Sequence, residues 1–429
     1  MRRLLVLAAV TSLALAGCAP ESGPTTEPSP PAPSPVPADS PSVVDPTTEP
    51  SPPAPSPVPA DSPSVVAPTA EPTAPDGEGT EEGEPVVVVE EFTTTEHGTF
   101  NEGWAMAFLP GTEYLLVAER VGALQLRDQA TGEVREVAGV PEVRHAGQGG
   151  LHDVVPGPTF EEDGTIYLSW VRGHDEGSHG VVGRARLDVD SAELEGLEVL
   201  WEQSPAGGNG HFSLRLLIQG EHLFVTSGDR QEMDPAQAMD TNLGKVLRLT
   251  LDGDPAPGNP WESDGGVAAE FWTIGHRNPL GIAEDSSGAI WVSEMGPQGG
   301  DELNLLARGE NYGWPLASMG AHYGGGAIPD HQDGDGFRGP VAWWVPSISP
   351  GNLLIYRGEL FTGWQDSAVL GGLSGQVLVR VALDVESGEL AGEWDMGERI
   401  RAVDEAPDGA IWVLEDGAGG GLLELRPVG

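Results

Sequence analysis

The sequence predicts an all-β protein: a six-bladed β-propeller with four-stranded antiparallel blades, preceded by a disordered proline-rich stalk. Three observations lead there. A polar turn, a short β-rich run and a second paired run recur six times between residues 113 and 427. Long amphipathic helical runs are missing from that region, while Gly, Pro and Trp are frequent. The N-terminal part has a separate, low-complexity composition with almost no large apolar residues.

The first runs of the six pairs are "EYLLVAE" (113–119), "TIYLSW" (165–170), "HLFVTSG" (222–228), "AIWVSEM" (289–295), "SAVLGGL" (367–373) and "AIWVLED" (410–416). Their partners are "GALQLRD" (122–128), "VGRARLD" (182–188), "KVLRLTLD" (245–252), "DELNLLA" (301–307), "QVLVRVALD" (376–384) and "GLLELRP" (421–427). "EDG", "SSG" and "PDG" precede three of the first runs, as turn residues do in antiparallel sheet. Six copies at spacings of some forty to eighty residues fit blades around an axis. A two-layer β-sandwich is the alternative, and it would not naturally give six copies. "VVVVEEF" (86–92) is a candidate for a strand that closes the ring beside the C-terminal one. In such a ring, loops far apart in sequence meet at one mouth.

The first residues form a targeting segment. Arg2 and Arg3 precede an apolar stretch from Leu4 to Ala16, too short for an ordinary membrane span. Leu15-Ala16-Gly17-Cys18 resembles the lipobox of bacterial lipoproteins, which implies cleavage after residue 17 and lipid on Cys18. The alternative is a cleaved secretory signal with an incidental cysteine. Cys18 is the single cysteine, so no internal disulfide forms. From Cys18 to residue 85 the chain reads as a linker. "TTEPSPPAPSPVPADSPSVV" occurs at 25–44 and again, unchanged, at 47–66. Such a segment cannot build a core, and its prolines favour extended polyproline II. Residues 86–429 are then the folded domain, long enough for a sizeable core. The expected location is extracytoplasmic, anchored to the cell membrane by lipid.

The chain has 67 acidic and 21 basic residues, a formal charge of −46. That balance argues against nucleic acid as a partner, because phosphates would be repelled. Where cations do gather, an anion is the expected ligand. "TIGHRNPLGI" (273–282) sets His276, Arg277 and Asn278 together before a Pro-Gly break. Three other stretches stand out. "GQGGLHDV" (147–154) surrounds Gln148 with glycine. "NGHFSLRL" (209–216) puts His211 before a strand, with Asp229 ending the next in "TSGD". "SEMGPQGGDELNLLARGENYGWP" (293–315) offers carbonyls in a Gly-Pro turn, with Glu302 and Tyr312 beyond it.

With the repeat pattern, these stretches resemble the glucose/sorbosone dehydrogenase family over most of residues 92–427. The resemblance implies a soluble quinoprotein fold that oxidises aldose sugars with pyrroloquinoline quinone (PQQ) and calcium, passing electrons to an external acceptor. It implies His211 as catalytic base and Asp229 as the carboxylate that orients it. It places Gln148, Arg277 and Asn278 at the quinone, with Arg277 also stabilising developing charge. Gly296 and Pro297 match carbonyl donors to a calcium, and Glu302 and Tyr312 match a second calcium site. Arg399 and Arg401, in "ERIRAV", match a pair gripping the cofactor carboxylates.

Some positions depart from the family pattern. Ser374 stands where a lysine is frequent, Glu415 where a threonine contact is expected, and Gly210 where glucose-oxidising relatives carry an acidic residue. The first two changes would weaken binding of a trianion. They keep open a catalytically silent propeller that binds a sugar or protein. A calcium-dependent hydrolase is a third class, but no ring of Asp, Asn and Glu ligands is placed for it. Among bland readings, His211 is a packing residue, Arg277 ties blades together and "HQDGDGF" (331–337) is a plain loop. Trp343 and Trp344 either line a sugar platform or fill space between blades.

Overall fold

The computed structural model describes residues 64–65, 92–384 and 387–428. The signal segment 1–17, Cys18, nearly all of the linker to residue 85, and residues 86–91 lie outside the described residues. Six four-stranded antiparallel blades follow one another. Blade 1 is Gly103–Phe108, Tyr114–Glu119, Ala123–Asp128 and Val134–Glu136. Blade 2 is Leu151–Pro156, Thr165–His174, Gly177–Asp188 and Glu193–Glu202. Blade 3 is Ser213–Gln219, His222–Ser227, Lys245–Thr250 and Phe271–Ile274. Blade 4 is Pro279–Glu284, Ile290–Glu294, Asp301–Leu305 and Ala342–Val345. Blade 5 is Leu354–Ile355, Ala368–Gly371, Val377–Asp384 and Ser387–Asp395. Blade 6 is Ile400–Glu405, Ile411–Glu415 and Ala418–Pro427, completed by Phe92–Asn101.

The six paired runs of the sequence are the second and third strands of each blade. The largely apolar character of the second strands follows from burial on both faces, since each blade packs against two neighbours. Leu115, Leu116, Val117 and Ala118 are all fully buried on one strand. The ring is visible in the core itself. One apolar cluster lies between blades 1 and 2, and another between 2 and 3. The series continues between 3 and 4, 4 and 5, and 5 and 6. The last cluster joins Met106, Leu115 and Val117 of blade 1 to Ala402, Trp412 and Leu414 of blade 6.

Hydrogen bonds between the two ends of the described domain also close the ring. The N-terminal strand Phe92–Asn101 pairs antiparallel with the C-terminal strand, from Phe92 opposite Pro427 to Asn101 opposite Ala418. Of the run suggested for this closing strand, 86–92, residues 86–91 lie outside the described residues, and Phe92 stands at the head of the described strand Phe92–Asn101. Its own sequence, FTTTEHGTFN, is mostly exposed and gives little apolar signal. In the linker, Ser64 and Val65 pair with Val345 and Trp344 at the free edge of blade 4. Among the described residues no helix is long and apolar enough to cross a membrane.

Arg215, on the innermost strand of blade 3, holds the centre. It donates to the carbonyls of Leu280 (2.9 Å), Trp104 (3.0 Å) and Gly351 (3.0 Å), and pairs with Asp153 at 3.4 Å. Four neighbouring inner strands or their approaches are thus tied to one guanidinium, a fully buried charge made tolerable by saturation of its donors.

Candidate active site

Topology gathers the site at one mouth. In an antiparallel blade the innermost strand starts at the end where the second strand returns. His211 precedes the first strand of blade 3 and Asp229 follows its second. Arg277 and Asn278 precede the first strand of blade 4, and Met295 and Gly296 follow its second. Arg399 precedes Ile400–Glu405, and Asp416 follows Ile411–Glu415.

His211 and Asp229 form a buried pair. The ring Nδ1 lies 2.6 Å from Asp229 Oδ1, which also accepts the Gln231 amide at 2.8 Å. Asp229 Oδ2 accepts the Trp314 indole N–H at 2.8 Å. Burial opposes the Asp229 charge, but His211, Gln231 and Trp314 together hold its carboxyl below the ordinary range. Burial, reinforced by Arg277 and Arg230, pushes the His211 imidazole down, so it is neutral near pH 7. A neutral ring facing an ionised carboxylate carries its proton on Nδ1. Nε2 has no hydrogen-bond partner among the described residues and is left as an acceptor.

The backbone around this pair is strained. Of eleven non-glycine residues with positive φ among the described residues, His211, Ser213, Leu214, Arg230, Gln231 and Met233 all flank it. Such conformations persist only where surrounding bonds over-determine them. Here the Gln148 side chain accepts the His211 amide at 2.7 Å, and Arg230 donates to the Gly210 carbonyl at 3.0 Å. Gly228 allows the crossing, since a Cβ there would sit 2.1 Å from the His211 carbonyl oxygen.

Beside the pair opens a cavity of about 430 Å³, lined in part by Gln148, Asn278, Arg120, Arg399, Arg401 and Trp104. Arg399 and Arg401 share one carboxylate, donating to Asp416 Oδ2 (2.8 Å) and Oδ1 (2.9 Å). Arg401 lies 3.8 Å above the Trp104 ring and Arg120 5.6 Å from it. Arg120 pairs with Glu102 and donates to the Gly147 carbonyl at 2.7 Å. Three guanidinium groups thus face two carboxylates around a space the size of a small organic ligand, in a chain otherwise dominated by acid. That donor set fits a multiply anionic, flat cofactor.

Gly296, Pro297, Glu302 and Tyr312 line one small pocket of about 10 Å³, with Arg277, Glu294 and Trp314. It has room for a single ion or water. Burial and the neighbouring Glu294 push the Glu302 carboxyl up to about 8. Asn304 donates to Glu294 (3.1 Å) and Glu302 (3.2 Å), and its Oδ1 is buried without a partner. An under-compensated carboxylate beside an orphan oxygen suits a hard cation such as calcium. Two members fit less well. The Tyr312 hydroxyl is spent on the Leu305 carbonyl (2.6 Å) and the Ala307 amide (3.0 Å), so only its carbonyl is free to serve. The Gly296 carbonyl accepts from Arg277 Nη1, as does that of Met295 at 2.8 Å. Among the described residues no three acidic or histidine side chains converge on one ion. The histidine of "HQDGDGF", His331, stands 3.9 Å from Glu302 with neither ring nitrogen hydrogen-bonded.

The structure brings the predicted residues together in two groups rather than one. Gln148, Asn278, Arg399 and Arg401 line the larger cavity. His211 and Asp229 stand behind Gln148, and Arg277 reaches toward the small pocket while keeping a buried Nε without a partner. His276 is structural, held between Thr273 (2.9 Å) and Glu294 (2.9 Å) and stacked on Tyr312. Glu415 does not line the cavity, because its carboxylate accepts the Gly421 amide at 2.9 Å; the acid that does is its neighbour Asp416. Ser374 bonds to Ser349, which lines the cavity, at 2.8 Å. Trp344 is fully buried between blades 4 and 5 and is no sugar platform. Sequence reasoning missed Arg120, Trp104, Trp314 and Asp416. Register was the available signal for Arg120 and Asp416, which each follow a second strand directly, close to where Asp229 follows its own.

Comparison with known proteins matches this geometry. The sequence model of the family described as glucose/sorbosone dehydrogenase matches residues 100–424. The chain is 36% identical over 335 residues to aldose sugar dehydrogenase YliI of Escherichia coli (strain K12), covering 76% of this chain and 90% of that protein. The apo-form crystal structure of the soluble aldose sugar dehydrogenase from Escherichia coli superposes with a TM-score of 0.75 at 34% identity, covering 79% of this chain and all of that one. The PQQ-bound form of aldose sugar dehydrogenase from Streptomyces coelicolor gives 0.65 at 26% identity, covering 79% and 98%. The chain therefore belongs to the glucose/sorbosone dehydrogenase family of sugar oxidoreductases.

Proposed function

We propose that the protein is a PQQ- and calcium-dependent aldose dehydrogenase that oxidises the anomeric carbon to a lactone and delivers the electrons to an external acceptor. The observation that carries this reading is the His211–Asp229 pair, with Nε2 free, set beside an arginine-lined cavity. PQQ, when bound, supplies the two-electron acceptor for hydride from C1. Arg399, Arg401 and Arg120 would hold its carboxylates, and Gln148 and Asn278 its polar edge. Glu302, with carbonyls of the Gly296-Pro297 turn and Tyr312, would hold calcium.

The proton side of the reaction belongs to the chain itself. His211 Nε2 takes the proton of the anomeric hydroxyl, and Asp229 stabilises the imidazolium that results. Arg277, with an unspent Nε donor in a buried position, stabilises the negative charge that develops beside it. Steady-state reduction of a dye by aldoses, with PQQ and calcium added to the purified protein, tests the reading. Lactone formed in step with dye reduction is the expected result. Stoichiometric PQQ binding with no sugar-dependent reduction would exclude it.

We further infer that Cys18 carries lipid and that the repeated Pro-rich linker holds the propeller at the outer face of a cell membrane. Support comes from the order of basic, apolar and small residues before Cys18. Cys18→Ser is expected to release the protein from membranes; retention would contradict the anchor.

A further inference from the structure

We propose that Trp314 is a positioning residue for the proton acceptor: its indole N–H locks the Asp229 carboxylate in the orientation that fixes His211, while its ring seats Arg277 alongside. The inference rests on the reading of His211 as base. Trp314 belongs to the long segment between the third and fourth strands of blade 4, yet its Nε1 reaches Asp229 of blade 3 at 2.8 Å. Asp229 Oδ1 is occupied by His211 and Gln231, so Trp314 is the donor that fixes the second oxygen. With both oxygens held, the carboxylate plane cannot rotate away from Nδ1.

A generic need to satisfy a buried indole does not explain this bond. Trp170, Trp344, Trp364 and Trp412 all bury Nε1 without a partner in the same core. Trp314 is instead built in from several sides. Its amide donates to the Gly275 carbonyl at 3.0 Å, and its carbonyl accepts Gln237 Nε2 at 2.6 Å. Gln237 and Asn311 exchange amide bonds at 3.0 and 2.7 Å. The ring packs on Ala236 and Ile328. The segment carrying Ala236 and Gln237 is pinned in turn by Lys245, the only lysine of the chain. It is fully buried and donates to the carbonyls of Pro235 (2.7 Å), Ala236 (3.1 Å) and Leu243 (2.7 Å). The Arg277 guanidinium carbon lies over the indole, 5.3 Å from the ring centroid. One side chain thus contacts both the carboxylate that orients the base and the charge-stabilising arginine.

Removing the N–H leaves more charge on the Asp229 oxygens, so the pair holds its proton to higher pH. The other charged groups facing His211 are Arg277 and Arg230; the shape-preserving variant keeps the bicyclic ring against Arg277 and so isolates the N–H. The test uses the full chain with Trp314→Phe and, as a shape-preserving second variant, β-(3-benzothienyl)alanine at position 314, which replaces N–H by sulfur. Histidine-labelled NMR follows the His211 titration without added cofactor, and kcat is measured against pH with PQQ and calcium. In both variants the His211 midpoint is expected to rise by about half to one pH unit. The acid limb of kcat should rise with it, and plateau kcat should fall roughly tenfold. KM and PQQ affinity should stay within about twofold. An unchanged His211 titration in the shape-preserving variant overturns the proposal. If the wild-type chain oxidises no aldose, the functional reading fails, and the NMR titration still decides the role of Trp314.

Discussion

The two sides of the mouth are built on opposite electrostatic plans. On the blade 3 and 4 side, His211 and Asp229 are closed off, bonded to each other and to Trp314, with a neutral imidazole beside a fixed carboxylate. On the blade 6 and 1 side, Arg399, Arg401 and Arg120 line open space, each sharing a carboxylate and so held in place without being neutralised as a group. The difference assigns the work. A proton acceptor gains from burial, which keeps it uncharged until it is used. A binder of anions gains from charges that are ordered beforehand but still face the ligand. Changes on one side are therefore expected to alter turnover, and changes on the other to alter cofactor affinity.

The largest effect should come from the buried side. Asp229→Asn leaves shape intact but no longer secures the Nδ1–H tautomer. Turnover with saturating PQQ is expected to fall by roughly 10² to 10⁴, with PQQ affinity within about threefold. A matching loss of affinity would blur the division between the two sides. Next in size is Arg401→Gln, which removes a bidentate-capable cation stacked on Trp104. PQQ affinity should weaken by about 10- to 100-fold, equivalent to about 1.4 to 2.7 kcal/mol, while turnover of the loaded protein stays within a few-fold. Calorimetric titration of PQQ at fixed calcium and salt measures it, and unchanged affinity would remove Arg401 from the cradle.

A smaller contrast separates two neighbours of the cavity. Ser374→Lys adds a cation beside Ser349 and is expected to tighten PQQ up to about tenfold after screening. Glu415→Thr should leave affinity unchanged, because that carboxylate turns to Gly421 instead. Equal tightening by both would show that Glu415 faces the cofactor after all. The remaining effect is on stability rather than on turnover or affinity. His152 is wedged between the Gln148 and Ser213 carbonyls, and burial pushes it down to about 3. The unfolded chain binds a proton there below about pH 6.5 and the folded chain does not. Stability is therefore lost as pH falls from about 6.5 toward 3, by at most about 1.4 kcal/mol per unit. His152→Gln should flatten that slope in denaturant titrations at pH 4 to 7; an unchanged slope would show that His152 is protonated in the fold.

Legibility in the sequence followed burial and motif length. The second strands were readable because two-sided burial writes them as largely apolar runs such as "AIWVSEM", and the third strands because they follow at a short turn with a recurring apolar–polar pattern such as "ALQLRD". Outer strands were not. Glu193–Glu202 alternates only loosely, and the closing strand Phe92–Asn101 is nearly all polar and gives little apolar signal. The base pair and Arg277 were legible through their motifs. Trp314 lay inside a recognised stretch but its role did not, because the bond to Asp229 spans 85 residues. Asp416 was mistaken by one residue for Glu415: on a strand end, one step turns a side chain from the mouth into the blade. Trp104 carries no local pattern and becomes a site residue only when blade 1 closes against blade 6, while the only signal for Arg120 is its register just past a second strand.

The division of labour is tested most directly by a single-turnover comparison. Wild type and His211→Ala are each loaded with PQQ and calcium and mixed with excess aldose while the absorbance of the bound quinone is followed. Both proteins are expected to show the bound-quinone spectrum with similar affinity. Sugar should bleach it in the wild type, and at least about a hundredfold more slowly in His211→Ala. Bleaching of the variant at the wild-type rate, or failure of the variant to bind PQQ, would contradict the separation of proton acceptor from anion cradle.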